Sequence, residues 1–398
     1  MAKRTILALP GDGIGKTVLP EAIRVLNAAG FEADYERGDI GWDFWCSEGN
    51  ALPQRTLDAL EKYKIALFGA ITSKPKEEAA NELSPSLRDK GFVYTSPIVG
   101  LRQHFNLDIC MRPCRSYEGN PLNFIRRGAS GNIEEPKVDA VIFRQNTEGL
   151  YGGVEWSNPP EIVHQALMTH KKFVENFGNV PKEELSVSTR IFTKKATERI
   201  LLAAFEHAKK YGYKSVTLCE KPNVIRETSG MMYRMAKDIQ KTKYPQIELW
   251  NTNIDAQMMW LTKNPEDYGV IVAGNMFGDI VSDGFAGLIG GLGFAASAQY
   301  NPDSGIAVFE PTHGSAPKYA DYEVSIVNPI AMIESAIMML EYIGEDAIAQ
   351  KIRKAIAQVL KEGKVRTYDM MKMTGKPDVV KNGAASTKEM ADAIISKL

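Results

Sequence analysis

Hydrophobic positions fall into two kinds of segment along the chain. Short runs rich in valine, isoleucine and leucine are typical of buried strands, and longer segments with apolar residues three or four positions apart are typical of amphipathic helices. The short runs predict strands at residues 5–9, 64–70, 138–143, 215–218 and 270–273. The longer segments predict helices at residues 18–26, 163–177, 193–211, 330–343 and 345–360. This order of strands and helices predicts an α/β protein.

The two ends of the chain carry loop and cap signals. Strand 5–9 is followed by the glycine-rich loop PGDGIG and then by a helix. This is the opening of a nucleotide-binding unit, because free amides at a helix start attract anions. The glycine spacing differs from the dinucleotide-binding fingerprint, so a Rossmann unit is disfavoured. Near the other end, Ser386 and Glu389 predict a capping box at the start of a last helix.

Length and composition limit the class of protein. A chain of 398 residues is too long for one ordinary hydrophobic core, so its length predicts two domains. A net charge of −1 gives no field that would attract nucleic acid or an acidic membrane. No apolar run reaches the ~18 residues of a membrane-spanning helix, and the start, MAKRTILALPGDG, lacks the apolar core of a signal peptide. The scattered cysteines predict free thiols and a cytoplasmic protein; they are Cys46, Cys110, Cys114 and Cys219.

The stretch YGVIVAGNMFGDIVSDGFAGLIGGLG, residues 268–293, carries the clearest chemistry. Its strand is followed by a helix on which Asp279 and Asp283 stand four residues apart and therefore on one face. Two carboxylates at this spacing repel each other, and a hard cation such as Mg²⁺ or Mn²⁺ reverses that repulsion. A solvated acidic face is the alternative. The position just after a buried strand, where α/β sheets place ligands, adds weight to the metal interpretation.

Three arginines stand at the ends of apolar segments. Arg102 and Arg112 punctuate residues 95–116, and Arg144 ends the strand 138–143. An arginine in apolar surroundings usually pairs with a carboxylate, often through two hydrogen bonds. Internal salt bridges would satisfy any one of them. Three together point toward a substrate with several carboxylates.

Tyr151 and Lys221 are candidate proton-transfer groups. Tyr151 precedes two glycines, which places its hydroxyl to stand in a cleft, and a buried tyrosine bonded to the backbone is the alternative. Lys221 and Asn223 follow the strand 215–218. A lysine with its usual pKa near ~10.4 needs burial or a nearby metal to act as a base. Asp255 leads a helix whose methionines are typical of a protein core.

Three motifs, the first of which overlaps the stretch 268–293, are NMFGDIVSDGFAGLIGGLGFA, FEPTHGSAPKYA and NPIAMIESAIMML. Together they resemble the isocitrate/isopropylmalate dehydrogenase family of β-decarboxylating dehydrogenases, and the resemblance extends from Gly11 to the last helix. It implies two α/β domains around a central cleft, without a conventional Rossmann unit. The large dinucleotide-binding domain is expected at 1–107 and 290–398, and the small domain, with the dimer interface and the metal and substrate residues, at 108–289. The resemblance also implies a homodimer with shared active sites.

The resemblance assigns roles to individual residues. It implies a Mg²⁺ or Mn²⁺ ion bound by Asp279 and Asp283 together with Asp255 of the partner subunit. It implies a catalytic pair, Tyr151 and Lys221, in which the lysine also comes from the other subunit. The residues implied to bind the substrate are Ser96, Arg102, Arg112, Arg144 and Asn223. The residues implied to hold the dinucleotide are Thr312, His313, Gly314, Lys318, Tyr319, Asn328, Tyr368 and Lys372.

The implied reaction is metal-dependent oxidation of a hydroxy di- or tricarboxylate by a nicotinamide dinucleotide, followed by loss of CO₂. Isocitrate, giving 2-oxoglutarate, is favoured by residues 151–156 and by the pair Lys318-Tyr319. Homoisocitrate and 3-isopropylmalate are alternatives, because the isocitrate pattern Ser-x-Asn-x-x-x-Arg has Ile98 in place of its asparagine. A lost hydrogen bond to a charged group is worth roughly 1.5–3 kcal/mol, enough to shift substrate preference.

NADP is favoured over NAD as the cofactor. Lys318, Tyr319 and Tyr368 match positions that grip the 2′-phosphate of NADP in the family, and the ribose-binding acid of NAD enzymes is absent. Lys372 stands where an arginine is typical, which keeps the charge but loses the planar fork. A non-catalytic regulatory subunit is the alternative of another class. Such chains lose a metal aspartate, the tyrosine or the lysine, and all five residues are present here.

Overall fold

The computed structural model describes residues 3–398, so the first two residues of the predicted large domain lie outside the described part. Ten strands form one sheet, and four others form two short two-stranded sheets. The strands are β1 (Arg4–Gly11), β2 (Ala33–Arg37), β3 (Ile65–Ala70), β4 (Ile109–Arg115), β5 (Arg126–Arg127), β6 (Ile133–Glu134), β7 (Asp139–Gln145), β8 (Glu155–Ser157), β9 (Ser186–Ser188), β10 (Ser215–Glu220), β11 (Glu248–Asn253), β12 (Val270–Ala273), β13 (Ala296–Asn301) and β14 (Ile306–Pro311).

Helices connect the strands and cover both faces of the large sheet. They are α1 (Gly15–Ala29), α2 (Trp42–Glu48), α3 (Gln54–Tyr63), α4 (Lys76–Asn81), α5 (Pro97–His104), α6 (Glu161–Met168), α7 (Lys171–Phe177), α8 (Lys194–Tyr211), α9 (Thr228–Lys243), α10 (Ile254–Trp260), α11 (Asn275–Leu288), α12 (Ile330–Tyr342), α13 (Asp346–Glu362) and α14 (Thr387–Ile395). The predicted capping box is present, because Ser386 and Glu389 exchange side-chain-to-backbone hydrogen bonds at the start of α14.

The large sheet has the strand order β11-β10-β12-β7-β4-β13-β14-β3-β1-β2. Its two ends are parallel, because β10 pairs in parallel with β11 and β12, and β1 pairs in parallel with β2 and β3. In the middle, β4 runs antiparallel to both of its neighbours, β7 and β13. Parallel strands need helical crossovers that cover the sheet, which accounts for their continuous apolar sequences. The predicted α/β class is confirmed.

The helix α12 is the most buried of the helices that pack on this sheet. Every residue from Ile330 to Leu340 is buried, which accounts for its uninterrupted apolar sequence. It packs on β13, β14 and β3, whereas α8 packs on β7, β10 and β12. Within residues 3–398, no helix combines the length and the apolar character that crossing a membrane requires.

The single helix predicted for residues 163–177 is wrong. Two helices, α6 and α7, occupy this region, because the chain turns at Thr169 and His170. The hydroxyl of Thr169 donates to the backbone oxygen of Ala166, and His170 has extended backbone angles. A threonine that bonds back to the preceding turn competes with helix continuation.

The predicted domain boundaries fall inside the large sheet. The first predicted boundary, at residue 107, lies just before β4. The second, at residue 289, lies just before β13. These two strands are hydrogen-bonded to each other, so the sheet continues across the predicted division. The division into two domains stays a prediction.

Candidate active site

Arg112 and Arg144 lie side by side on one face of the large sheet. They belong to the antiparallel neighbours β4 and β7, and both side chains are almost fully buried. Helix α11 packs on the same strands, and Gly278 allows a close approach. A Cβ atom at Gly278 would lie 2.8 Å from the Cβ of Arg144. The glycine therefore sets the short distance between the arginines and the helix that carries the aspartates.

Asp279 and Asp283 face the two arginines from α11. Nη1 of Arg112 lies 3.0 Å from a carboxylate oxygen of Asp279 and 3.4 Å from one of Asp283, so the aspartates share one face of the helix. Arg144 donates to the same carboxylate oxygen of Asp279, and its Nε donates to the side-chain oxygen of Asn275 at 2.9 Å. Internal salt bridges, the alternative to substrate binding, are therefore formed by both arginines.

Burial and neighbouring charges act in opposite directions on these groups. Burial opposes the charge on Arg112, but Cys110, Asp279 and Asp283 hold its pKa above the usual value. Burial, followed by repulsion from Arg112, lowers the pKa of Arg144 to about 10, so this side chain stays charged at neutral pH. Partial desolvation, opposed by the charge of Arg112, raises the pKa of Asp283. Two buried positive charges that share few internal anions favour an additional anionic ligand.

Arg102 is held by two buried polar residues. Its Nε donates to Oε1 of Gln299 at 2.5 Å, and its Nη2 lies 3.5 Å from a carboxylate oxygen of Glu310. Gln299 donates to the same carboxylate, and burial raises the pKa of Glu310. No sequence motif indicates Gln299 or Glu310, because the residues that a polar side chain of a strand contacts depend on which strand lies beside it.

A cleft of about 550 Å³ opens beside these residues. Ser96 and Ile98, at the start of α5, line it together with Arg102 and Arg112. Lys74, which no motif indicates, also lines it. The cleft therefore has a cationic wall, and Ile98 is one of several apolar side chains that line it among the polar ones.

Tyr151 stands at the edge of the arginine pair. The guanidinium carbon of Arg144 lies 5.6 Å from the centroid of its ring. The residue is 46% exposed, so the alternative of a buried tyrosine bonded to the backbone is wrong. Partial burial and the negative charge of Asp279 raise the pKa of its hydroxyl. The phenol is therefore protonated at neutral pH and available as a proton donor.

Lys221 and Asp255 form a separate group. Lys221 directly follows β10, Asp255 lies at the start of α10, and their side chains form an ion pair that lowers the pKa of Asp255. Asn223, two residues beyond Lys221, is exposed. Nowhere in residues 3–398 do three histidine, cysteine, aspartate or glutamate side chains come close enough together to hold a metal ion. One chain therefore does not bring the three predicted metal ligands together.

Glu220, next to Lys221, ties β10 to α11. Its fully buried carboxylate accepts hydrogen bonds from the backbone amide of Gly274 at 2.8 Å, from Arg190 at 2.9 Å and from Ser229 at 2.5 Å. Lys221 follows Glu220, and Gly274 caps α11. One buried ion pair therefore positions two elements that carry predicted site residues, and no sequence motif indicates it.

The predicted dinucleotide residues fall into two groups, of which the first lines the cleft. Thr312, His313 and Gly314 share this cleft with Arg102 and Arg112. The hydroxyl of Thr312 and Nε2 of His313 are buried without a hydrogen-bond partner, and burial lowers the pKa of His313. Buried polar atoms without partners are satisfied when a ligand binds, so these residues fit a dinucleotide.

The second group surrounds Tyr319. The ring centroids of Tyr319 and Tyr368 are 5.6 Å apart, and the ammonium group of Lys318 lies 4.6 Å from the centroid of the Tyr319 ring. Asn328 is buried. Lys372 is exposed and has a positive φ of 55°. The structure thus brings Lys318, Tyr319 and Tyr368 into one cluster.

The acidic pair has the donor chemistry of a hard divalent cation. Asp279 and Asp283 present carboxylate oxygens one helical turn apart, and the Asp283 side chain is 61% exposed. Mg²⁺ and Mn²⁺ prefer oxygen ligands and few protein carboxylates. Two carboxylates leave room for oxygen atoms from a substrate, from water or from another chain.

Known proteins resemble this chain along its whole length. Residues 5–394 match the family described as isocitrate/isopropylmalate dehydrogenase. Protein DlpA of Legionella pneumophila is 39% identical over 98% of this chain, which spans 58% of that relative's length. Homoisocitrate dehydrogenase of Methanocaldococcus jannaschii is 36% identical over 98% of this chain and 96% of its own length. A crystal structure of isocitrate dehydrogenase from Methylococcus capsulatus, 33% identical, matches with a TM-score of 0.79 over 99% of both chains, which confirms the predicted fold.

Proposed function

The chain belongs to the isocitrate/isopropylmalate dehydrogenase family, and from that premise we propose that it oxidises and decarboxylates isocitrate to 2-oxoglutarate and CO₂. NADP is the proposed hydride acceptor, and Mg²⁺ or Mn²⁺ is the proposed metal. The observation that carries the proposal is the arrangement of Arg112 and Arg144, two buried guanidinium groups beside Asp279 and Tyr151. This arrangement joins groups for carboxylate binding, metal binding and proton donation beside one cleft.

Each group has a part in the reaction that its chemistry supports. Arg112 and Arg144 hold substrate carboxylates by charge-assisted hydrogen bonds, which orients the bonds that break. When bound, the divalent cation supplies positive charge beside the hydroxyl oxygen, and the nicotinamide ring accepts hydride. Lys221 takes the proton of the substrate hydroxyl, directly or through water. Tyr151 gives its hydroxyl proton to the carbon from which CO₂ has departed.

The proposed enzyme is a homodimer with shared active sites. Lys221 forms an ion pair with Asp255 and not with the aspartates of α11. This separation supports a role for Lys221 and Asp255 in the active site of a second subunit. Apolar side chains are exposed on α10 and α11, among them Met259, Trp260 and Ile280. Exposed apolar side chains on adjacent helices support a protein interface there.

Isocitrate is proposed over homoisocitrate and 3-isopropylmalate. Lys74, Arg102 and Arg112 line the cleft, and this cationic wall supports a substrate with three carboxylates. Ile98 lies in the same wall and favours the alternatives, because its side chain donates no hydrogen bond. A homoisocitrate dehydrogenase is among the relatives of this chain, as is an isocitrate dehydrogenase.

NADP is proposed over NAD because of the cluster around Tyr319. One ammonium group and two phenols, those of Lys318, Tyr319 and Tyr368, offer donors for an extra phosphate. A cytoplasmic location is proposed because all four cysteines are free thiols.

A steady-state comparison tests the proposal. Isocitrate, homoisocitrate, 3-isopropylmalate and D-malate are each assayed with NAD and with NADP, in Mn²⁺ and in excess chelator. We expect the highest kcat/KM for isocitrate with NADP and no turnover in chelator. A higher kcat/KM for another acid would make that acid the substrate in place of isocitrate. Activity in excess chelator would overturn the proposed metal requirement. Absence of turnover with every pair would instead favour a non-catalytic regulatory subunit.

A further inference from the structure

Lys74 differs from the two arginines that line the same cleft. The side chains of Arg102 and Arg112 are only 13% and 9% exposed, and both are bonded to polar residues inside the protein. Lys74 lies in the loop between β3 and α4, where its side chain is 32% exposed and its carboxylate partner, Glu82, is 40% exposed. An ion pair this open to solvent is weak. An ammonium group also has three N–H donors, of which Glu82 takes one. Lys74 therefore has donors left for a ligand.

Trp42 and Glu82 fix the position of the Lys74 ammonium group. Its Nζ lies 5.1 Å from the centroid of the Trp42 ring. Glu82 accepts a hydrogen bond from Lys74 and another, of 2.7 Å, from Nε1 of Trp42. These two hydrogen bonds lower the pKa of Glu82, so its carboxylate is charged at neutral pH. A lysine side chain usually loses rotamer freedom when it binds a ligand. Here part of that freedom is already lost in the folded protein.

The buried carboxylate of Asp12 joins the two backbone segments that carry Lys74 and Trp42. It accepts hydrogen bonds from the backbone amide of Trp42 at 2.7 Å and from that of Thr72 at 2.9 Å. Tyr94 adds a second connection. Its hydroxyl donates to the backbone oxygen of Thr72 at 2.8 Å, and its ring centroid lies 5.0 Å from that of Trp42. The loop that carries Lys74 is therefore held against the start of α2.

A substrate with three carboxylates gains from a further cation in the cleft. Arg112 and Arg144 are proposed above to hold the carboxylates beside Asp279. Ile98, which lines the cleft together with Lys74, has no hydrogen-bond donor where the isocitrate pattern has an asparagine. A charge-assisted hydrogen bond is roughly twice as strong as a neutral one. The ammonium group of Lys74 can therefore compensate for the missing amide.

We propose that Lys74 binds the distal carboxylate of a tricarboxylate substrate, the one farthest from the hydroxyl that is oxidised, and thereby determines substrate specificity. Isocitrate and homoisocitrate both have this carboxylate. 3-Isopropylmalate has an alkyl group instead, which gains nothing from an ammonium group. The inference rests on the function proposed above and names the contact that selects a tricarboxylate within it.

Lys74→Met keeps an unbranched side chain and removes the charge. Steady-state constants are measured for isocitrate, homoisocitrate and NADP, in the variant and in the unchanged protein. 3-Isopropylmalate is measured as a substrate or, if it is not oxidised, as a competitive inhibitor. We expect kcat/KM for the preferred tricarboxylate to fall at least about tenfold, mainly through a higher KM. The corresponding constant for 3-isopropylmalate should change at least about fivefold less.

Lys76→Met is the control, because Lys76 is exposed and does not line the cleft, and it should leave all of these constants unchanged. Lys74→Arg keeps the charge and should recover part of the loss.

Three results would overturn the role of Lys74 and leave the proposed reaction in place: no loss in Lys74→Met, an equal loss with 3-isopropylmalate, or a higher KM for NADP instead of the acid. A preference for homoisocitrate that Lys74→Met abolishes would support the role of Lys74 and replace isocitrate as the substrate. Turnover of neither tricarboxylate by the unchanged protein would overturn both proposals.

Discussion

The carboxylate of Glu220 accepts a hydrogen bond of 2.8 Å from the backbone amide of Gly274, so the last residue of β10 is tied to the residue that caps α11. Lys221 directly follows the first of these residues, and α11 carries Asp279. Arg190 neutralises the buried carboxylate. Lys221, the proposed proton acceptor, and the two aspartates of α11 are therefore positioned by one buried ion pair, although the lysine is not paired with either aspartate.

Glu220→Ala should be strongly destabilising. It leaves Arg190 without its carboxylate and Gly274 without its acceptor. We expect the free energy of unfolding to fall by about 3–5 kcal/mol, because breaking a buried pair leaves an uncompensated charge. Unfolding in guanidinium chloride measures the change. Glu183→Ala, at an exposed glutamate, is the control and should change stability by less than ~0.5 kcal/mol; equal losses at both positions would contradict the role of the pair.

Asp279→Asn should abolish metal-dependent turnover. The amide has no charge for the cation, and we expect Mn²⁺ affinity, measured by calorimetry, to fall at least about tenfold. Asp283→Asn should weaken Mn²⁺ binding as well. Asp238→Asn, at an exposed position of α9, is the control and should bind Mn²⁺ like the unchanged protein. Normal turnover by Asp279→Asn would show that its assignment as a metal ligand is wrong.

Ile98→Asn should raise the efficiency with isocitrate relative to 3-isopropylmalate. Ile98 lines the cleft beside Ser96 and Arg102, and an amide there adds a hydrogen bond to a carboxylate. We expect the ratio of the two kcat/KM values to rise by about tenfold. Val99→Asn makes a similar change at the next residue, which is exposed and does not line the cleft. An unchanged substrate ranking in Ile98→Asn, or the same shift in Val99→Asn, would refute this interpretation of Ile98.

The sequence alone predicted those helices and strands whose own apolar pattern indicates which residues are buried. The strand 270–273 and the helix 193–211 agree with β12 and α8 to within a residue, because apolar spacing, glycine and cap residues lie within each segment. The helix predicted for residues 163–177 is wrong because its break contains neither glycine nor proline. The break depends instead on the side chain of Thr169, which the apolar pattern does not reveal.

The candidate site could be predicted only in part, because some of its contacts depend on sheet order. That Asp279 and Asp283 share a face follows from helical periodicity. The contact of Arg112 with both depends on β4 lying next to β7, which no local pattern reveals. Gln299 and Glu310 meet Arg102 for the same reason, since β13 and β14 are neighbours in the sheet. Family resemblance supplied roles for residues, whereas these supporting contacts required the structure.

His207 should make stability depend on pH between about pH 7 and pH 4. Burial, then repulsion from Arg115 and Lys210, lowers its pKa in the folded protein from 6.5 to about 4. As the pH falls through 6.5 the unfolded chain binds a proton first, so stability present above that pH is lost progressively toward pH 4. We expect this loss to reach about 2–3 kcal/mol.

His207→Gln removes the titrating group and serves as the comparison. The free energy of unfolding is measured in denaturant at several pH values for both proteins. The unchanged protein should lose more stability than the variant as the pH falls, since carboxylate titrations common to both cancel in the difference. Parallel profiles would show that His207 titrates near its usual pKa in the folded state.

Mixed dimers test whether Lys221 acts in the site of the partner subunit. Lys221→Met and Asp279→Asn should each be inactive as purified homodimers. If sites are shared, a mixed dimer of the two variants contains one site with an intact Asp279 and an intact lysine from the other chain. Random pairing after coexpression should therefore restore about a quarter of the unchanged activity.

The pair Tyr151→Phe and Asp279→Asn is the control for this experiment, and it separates sharing from simple stabilisation by a partner. Tyr151 and Asp279 both lie beside Arg144 within one chain, so every site of a mixed dimer lacks one of them and coexpression should restore no activity. Recovery in the Lys221 pair alone requires that the lysine cross the interface. Recovery in neither pair would place Lys221 in the site of its own chain, and recovery in both would show that Tyr151 and Asp279 serve different sites.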